Sequence, residues 1–211
     1  MLANPSAGVK VRDATGINLL DASRAFSEGE WTLVGAIADW LEWSSERSPR
    51  WSAPAAQRLR FLLDFGYATG LRATELIGAT LGHVETDPRG DHWLRVTGKG
   101  KKRGSVALPP LTWDALARYL AECALPVLPA HWNPQTPVIG SLETDSDAPI
   151  SSVRLWMVMR CFFLLAAKAI EADHAPLAEK LRRASPHWMR HTHATHALGR
   201  GAELTTVRDN L

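Results

Sequence analysis

Long apolar runs are missing from this chain. No stretch of about 18 consecutive apolar residues occurs among its 211, which excludes a membrane-spanning helix of ordinary length. Met1-Leu2-Ala3-Asn4-Pro5 lacks the basic flank and apolar centre of a secretion signal, so the expected location is cytoplasmic. Cysteine is scarce: Cys123 and Cys161 both fall in apolar helical patterns, and buried thiols are the expectation rather than a disulfide. Tyrosine is equally scarce. Tyr67 and Tyr119 are the only two, each in a helical stretch where it is expected to pack. A strong excess of either charge is absent as well, since 24 Lys and Arg face 22 Asp and Glu. The net charge of +2 announces no polyanionic partner by itself. No internal repeat is visible.

What is present suits one domain with a substantial core: 45% of the residues are hydrophobic, and nine are tryptophan, most of them where helices or strands would bury them. Residues 1–28 show no sustained periodicity. Leu33, Ile37, Trp40 and Leu41 give Trp31 to Trp43 a helical spacing. A second helix is expected from Pro54, a good first-turn residue, to Tyr67, with Gly70 as its stop. Arg72 to Thr80 reads as a short helix. The period then changes. His83 to Thr86, Trp93 to Thr97 and Ser105 to Leu108 alternate and are β-prone, with Asp87-Pro88-Arg89-Gly90 and Gly98-Lys99-Gly100 as turns, predicting a small three-stranded antiparallel sheet. Helices are predicted from Leu111 to about Cys123, from a Ser151 cap to Ala172, from Pro176 to Ala184, and from Ser185-Pro186 to Gly199. Between Pro126 and Pro149 the proline-rich chain reads as a long loop with a strand at Val138-Ile139, and Leu204 to Leu211 opens a last helix. The fold class is α+β and mainly helical. Residues 1–50 form a lead-in, and residues 51–211 form the principal domain.

Three local frames carry candidate chemistry. Arg72 follows a Thr-Gly-Leu turn and opens a helix, where unpaired backbone N–H groups favour an anion and a guanidinium fork matches phosphate oxygens. Its neighbour Glu75 reads as a structural residue that holds the Arg or a backbone amide. His187 and Arg190, three apart on a helix, share a face and can grip one phosphate from two sides. Lys99 sits at a hairpin tip between two glycines that allow close approach to a ligand, and Lys101 and Lys102 are alternatives to it. Arg95, Lys99, Lys101, Lys102 and Arg103 form one basic cluster; Lys180, Arg182 and Arg183 form another ahead of Arg190. Both coincide with the candidate frames, which points them toward phosphate contacts. His191, His193 and His196 invite a metal reading, but no His-Glu-x-x-His pattern or Cys partner supports one, so no metal or cofactor is expected.

Phe65-Gly66-Tyr67-Ala68-Thr69-Gly70-Leu71-Arg72 resembles the first arginine box of the tyrosine recombinases, the phage integrase family. Val96-Thr97-Gly98-Lys99-Gly100-Lys101-Lys102-Arg103 is similar to that family's lysine hairpin, and Ser185 to Leu198 to its second box. The resemblance covers about residues 55–211. It implies double-stranded DNA as partner, a 3′-phosphotyrosyl intermediate, and site-specific strand exchange without metal or ATP. It further implies that Arg72, His187 and Arg190 clamp the scissile phosphate, that Lys99 acts as general acid, and that Arg95, Lys101, Lys102 and Arg103 touch DNA. The family's nucleophilic Tyr follows the second box, whereas both tyrosines here precede it. The expectation is therefore a C-terminally incomplete catalytic domain that binds DNA without cleaving it. Homo-oligomers on DNA are implied for a full-length protein, and a monomer for this piece. The alternative is a non-catalytic DNA-binding module of the same fold.

Overall fold

The computed structural model describes residues 24–43, 51–98, 103–141 and 148–203. Seven α-helices and three strands follow the order α1 (Glu28–Trp43), α2 (Ala53–Thr69), α3 (Ala73–Ile77), β1 (Val84–Thr86), β2 (His92–Thr97), β3 (Arg103–Leu108), α4 (Pro110–Glu122), α5 (Ser152–Ile170), α6 (Ala175–Arg183) and α7 (His187–Gly199). The mainly helical α+β class and the small antiparallel sheet are as the sequence predicts.

Helix α2 is the axis of the molecule. Pro54 lies in its first turn, and Leu59, Phe61, Leu62, Leu63 and Phe65 are all buried, a distribution too broad for a surface helix. It touches α1, α4 and α7. Each such side chain, taken fully out of water, contributes about 1.5–3 kcal/mol. Phe61 stacks on Tyr119 of α4, with ring centroids 4.2 Å apart and an interplanar angle of 2°. Phe26, ahead of α1, is wholly buried against Phe163 of α5 and Trp188 of α7. Helix α5 begins as its cap residue directs: Ser151 Oγ accepts from the Arg154 N–H at 3.1 Å. Its buried face carries Leu155, Met159, Phe162 and Phe163.

The sheet has the order β1-β2-β3, antiparallel throughout. Its β2–β3 register sets Leu94 opposite Val106 and Thr97 opposite Arg103. Leu94, Val106 and Leu108 turn inward, while Arg95, Thr97, Arg103 and Ser105 are exposed. Period-two alternation thus hangs the sheet on the core by one face and leaves the other polar. The hairpin tip carrying Lys99, Lys101 and Lys102 lies outside the described residues.

Some expectations give way. Val138 and Ile139 are buried but form no ladder; only isolated bridges, Thr80 with Pro137 and Gly140 with Pro149, flank them. Prolines on both sides withhold the donors a strand needs. The backbone instead stitches the loop to residues 79–82, through Val138 N–H to Ala79 O at 2.9 Å and Leu81 N–H to Thr136 O at 2.8 Å. The cysteines are free but not fully buried: Cys161 is half-buried on α5, and Cys123 is exposed where α4 ends. Of the nine tryptophans only Trp51 and Trp188 are buried, while Trp40, Trp43 and Trp156 stand more than half exposed. Helical spacing counted them as apolar without telling which face was already covered. The helix expected over residues 204–211 lies outside the described residues. Among those described, no helix is long and apolar enough to cross a membrane.

Candidate functional site

The site is assembled where α2 ends, α3 begins and α7 passes beneath them. Gly70 terminates α2 in the left-handed region, with φ 61°, and its N–H closes the helix on Gly66 O. A Cβ at Gly70 would lie 2.6 Å from Cδ2 of His193, so the turn requires glycine both for its φ and for its close approach to α7. A second close approach lies one turn earlier. A Cβ at Gly66 would stand 3.0 Å from Met189 Cε, which lets α7 run tight against α2. His193 completes the seam through a 2.8 Å hydrogen bond between its Nδ1 and the Tyr67 carbonyl.

This packing aims Arg190. Its side chain is almost fully buried, and Nη1 donates to the Gly70 carbonyl at 2.7 Å. Nη1 also stands 3.7 Å from Oε2 of Glu75. Glu75, in turn, accepts from Arg72 twice: Oε1 from the guanidinium at 2.7 Å and Oε2 from the Arg72 backbone N–H at 2.8 Å. One buried carboxylate therefore stands between both guanidiniums, and the two arginines, 118 positions apart in the sequence, converge. The second Nη of Arg190 is buried and has no hydrogen-bond partner among the described residues. Such an orphaned donor is costly unless an acceptor arrives. Burial first, then the Arg72 charge, pushes the Arg190 pKa down to about 10, with Glu75 opposing. At pH 7 the group remains a cation.

His187 lies exposed at the first turn of α7. Its pKa is held below the ordinary histidine value by partial withdrawal of the ring from water, then by His191, Arg190, Arg24 and Arg72. The ring meets His191 edge-on, with centroids 4.4 Å apart. Arg72, His187 and Arg190 thus feel one another. Lys99 lies outside the described residues, as do Lys101 and Lys102. Arg95 and Arg103 line a cleft of about 400 Å³ with His83, Thr97 and Ser105 on the polar end of the sheet. Arg95 is tied to Glu85 at 3.2 Å.

The structure qualifies two details. Helix α3 is only five residues long, and the Arg72 N–H ahead of it is already taken by Glu75. The cluster of Lys180, Arg182 and Arg183 is spent on carboxylates. Lys180 meets Glu30 at 2.5 Å, Arg182 meets Glu171 and Glu179, and Arg183 meets Glu179. Their charges are thus paired within the protein. Arg24, conversely, carries no motif and was missed; only the fold brings its charge to His187. Neither tyrosine sits as a free phenol. Tyr67 is hydrogen-bonded to His196 at 2.8 Å, and Tyr119 is buried, which pushes its hydroxyl far above the usual range. Among the described residues no group of three or more His, Cys, Asp or Glu is placed to hold a metal ion.

The phage integrase family model matches residues 44–211. The chain belongs to the phage integrase family. Over 164 residues it is 35% identical to the tyrosine recombinase XerD of Xanthomonas axonopodis pv. citri (strain 306), covering 76% of this chain and 48% of that one. Over 180 residues it is 31% identical to XerD of Lacticaseibacillus casei, covering 85% and 53%. Among solved structures, the XerH site-specific recombinase bound to its difH substrate in a pre-cleavage complex shares the fold. Its TM-score is 0.63 at 19% identity, over 89% of this chain and 46% of that one. The XerA recombinase gives a TM-score of 0.55 at 18% identity. This phage integrase family chain spans about half the length of the curated relatives it matches.

Proposed function

We propose that this chain is part of a site-specific DNA recombinase, with residues 51–211 forming its catalytic domain and residues 1–50 leading into it. The observation that carries this is the Arg72–Glu75–Arg190 cluster, in which one buried Nη of Arg190 lacks an acceptor. A DNA phosphodiester supplies acceptors of the right charge and plane. A phosphate entering beside Glu75 takes one oxygen to Arg190 Nη2 and another to Arg72, whose side chain is 44% exposed and can swing to meet it. His187 donates to one of the same two non-bridging oxygens. As a phenolate attacks phosphorus, the 3′-phosphotyrosyl bond forms, the bond to the 5′ oxygen breaks, and that oxygen takes a proton from Lys99. Negative charge grows on the non-bridging oxygens, where fixed donors stabilise it most. The phenol comes from a tyrosine that these 211 residues do not supply, since Tyr67 and Tyr119 are both committed to packing.

Duplex DNA meets the polar sheet face through Arg95, Arg103, Lys101 and Lys102, and homo-oligomers assemble on it in the cytoplasm. The relatives, tyrosine recombinases by name, support this reading, and so does the solved neighbour on its difH substrate. The test uses the protein in the full length its gene encodes, incubated with a nicked duplex bearing its recombination site. A covalent protein–DNA adduct is expected, and Arg190→Ala should abolish it. Salt-sensitive DNA binding with no adduct under any condition would favour the alternative, a binding module that only occupies DNA.

A further inference from the structure

Helix α7 is gripped on two sides, and only one of them belongs to the phosphate site. Thr192 and His196 lie two and six positions past Arg190. At about 100° per residue this puts them on the far side of the helix from it. Both are buried, and both hold the backbone of the same residue in the segment entering α1. The Phe26 N–H donates to Thr192 Oγ1 at 3.0 Å, and Nε2 of His196 meets the Phe26 carbonyl at 2.9 Å. The carbonyl can only accept, so Nε2 carries the proton, and Nδ1 is left to accept from the Tyr67 hydroxyl at 2.8 Å. Phe26 itself is wholly buried, with its ring 5.4 Å from that of Trp188 and Lys180 Nζ 5.5 Å from its centroid. Two ion pairs flank the contact, Lys180 with Glu30 and Arg200 with Glu28.

We infer that Thr192 and His196 are positioning residues: by clasping the backbone of Phe26 they fix the rotation of α7, and with it the placement of Arg190 and His187. The inference rests on the proposed function for its catalytic consequence, though not for its geometry. Arg190 has its own tie to Gly70, whereas His187, at the first turn of α7, depends on the helix for its aim. Loosening the far side lets α7 roll on α2, and donors misplaced by even 1 Å lose catalytic effect steeply. The lead-in segment and the phosphate site are thereby mechanically joined through one helix, so a pull on the chain ahead of Phe26 reaches the catalytic donors.

The test pairs two readouts on Thr192→Val, which keeps the shape and removes the acceptor, and on Thr192→Ser, which restores it. In the full-length protein, Thr192→Val should slow single-turnover strand cleavage by on the order of 10- to 100-fold. Its DNA dissociation constant should stay within about twofold, and Thr192→Ser should recover the rate. In the 211-residue chain, nuclear magnetic resonance signals of the Arg190 Nε–H and the His187 ring should shift or broaden in Thr192→Val and return in Thr192→Ser. Should Thr192→Val lower the melting temperature yet leave those signals and the cleavage rate as in the wild type, the clasp is mere scaffolding and the inference is wrong. If the wild type forms no adduct, the proposed function fails, while the resonance readout still decides the positioning claim. His196→Gln, whose amide can still donate to the Phe26 carbonyl, should be milder than His196→Leu in both readouts; the reverse order counts against the clasp.

Discussion

At the residue scale, Glu75 is the side chain on which the site turns. It is buried, it orders Arg72 through two hydrogen bonds, and it balances Arg190. Replacing it with Gln leaves two guanidiniums facing each other with no counter-charge. Breaking a buried pair in this way costs about 3–5 kcal/mol, and urea denaturation of Glu75→Gln should show a loss of that order. His187 gives a second prediction. Its folded-state pKa lies below the ordinary value, so at pH 7 the ring is mostly neutral, and its contribution to stability is lost as pH falls through that depressed pKa. A bound phosphate offsets the repulsion from His191, Arg190, Arg24 and Arg72 and raises the pKa. By linkage, DNA affinity should strengthen as pH falls from about 7.5 toward 6, and the slope should flatten in His187→Gln. Affinity independent of pH in both proteins would remove His187 from the phosphate.

Elements set where these residues stand. Gly70 combines a left-handed φ with a gap too small for any Cβ, so Gly70→Ala is expected to cost about 1–3 kcal/mol by denaturant titration. It should also weaken phosphate binding, because the carbonyl that receives Arg190 moves with the turn. Much at this scale was legible in the sequence. Pro54, Gly70 and Ser151 punctuate helices in ways that follow from backbone geometry alone, and alternation disclosed the sheet and its polar face. What could not be read was pairing at a distance. Nothing near Lys180 or Arg182 announced that Glu30 and Glu171 would take their charge. Nor did any local pattern bring Arg24 to His187, or Phe26 to α7. Arg72 and Arg190 were legible as candidates because each sits in a local frame with its own physical meaning. Their meeting through Glu75 is a property of the fold.

For the whole molecule, a net charge of +2 hides an uneven surface. Basic side chains near the sheet differ in whether a carboxylate already holds them, as Glu85 holds Arg95. Duplex affinity should fall linearly on a log–log plot against salt, with a slope of about −0.9 per phosphate neutralised. Arg103→Ala should reduce that slope more than Arg95→Ala, since Arg95 is held by Glu85. Lys180→Ala, by the same reasoning, should leave it almost unchanged. Fluorescence anisotropy over a salt series reads all three, and equal slopes throughout would place the sheet away from DNA.

An internal carboxylate between two cations makes the site its own competitor. A loose anion such as inorganic phosphate meets an Arg72 already held by Glu75 and, among the described residues, finds only the second Nη of Arg190 open to it. A phosphate delivered on a duplex is different, because contacts elsewhere along the strand hold it at high local concentration until Arg72 lets go of Glu75. On the proposed function, the site thereby favours a tethered ligand over a diffusing one.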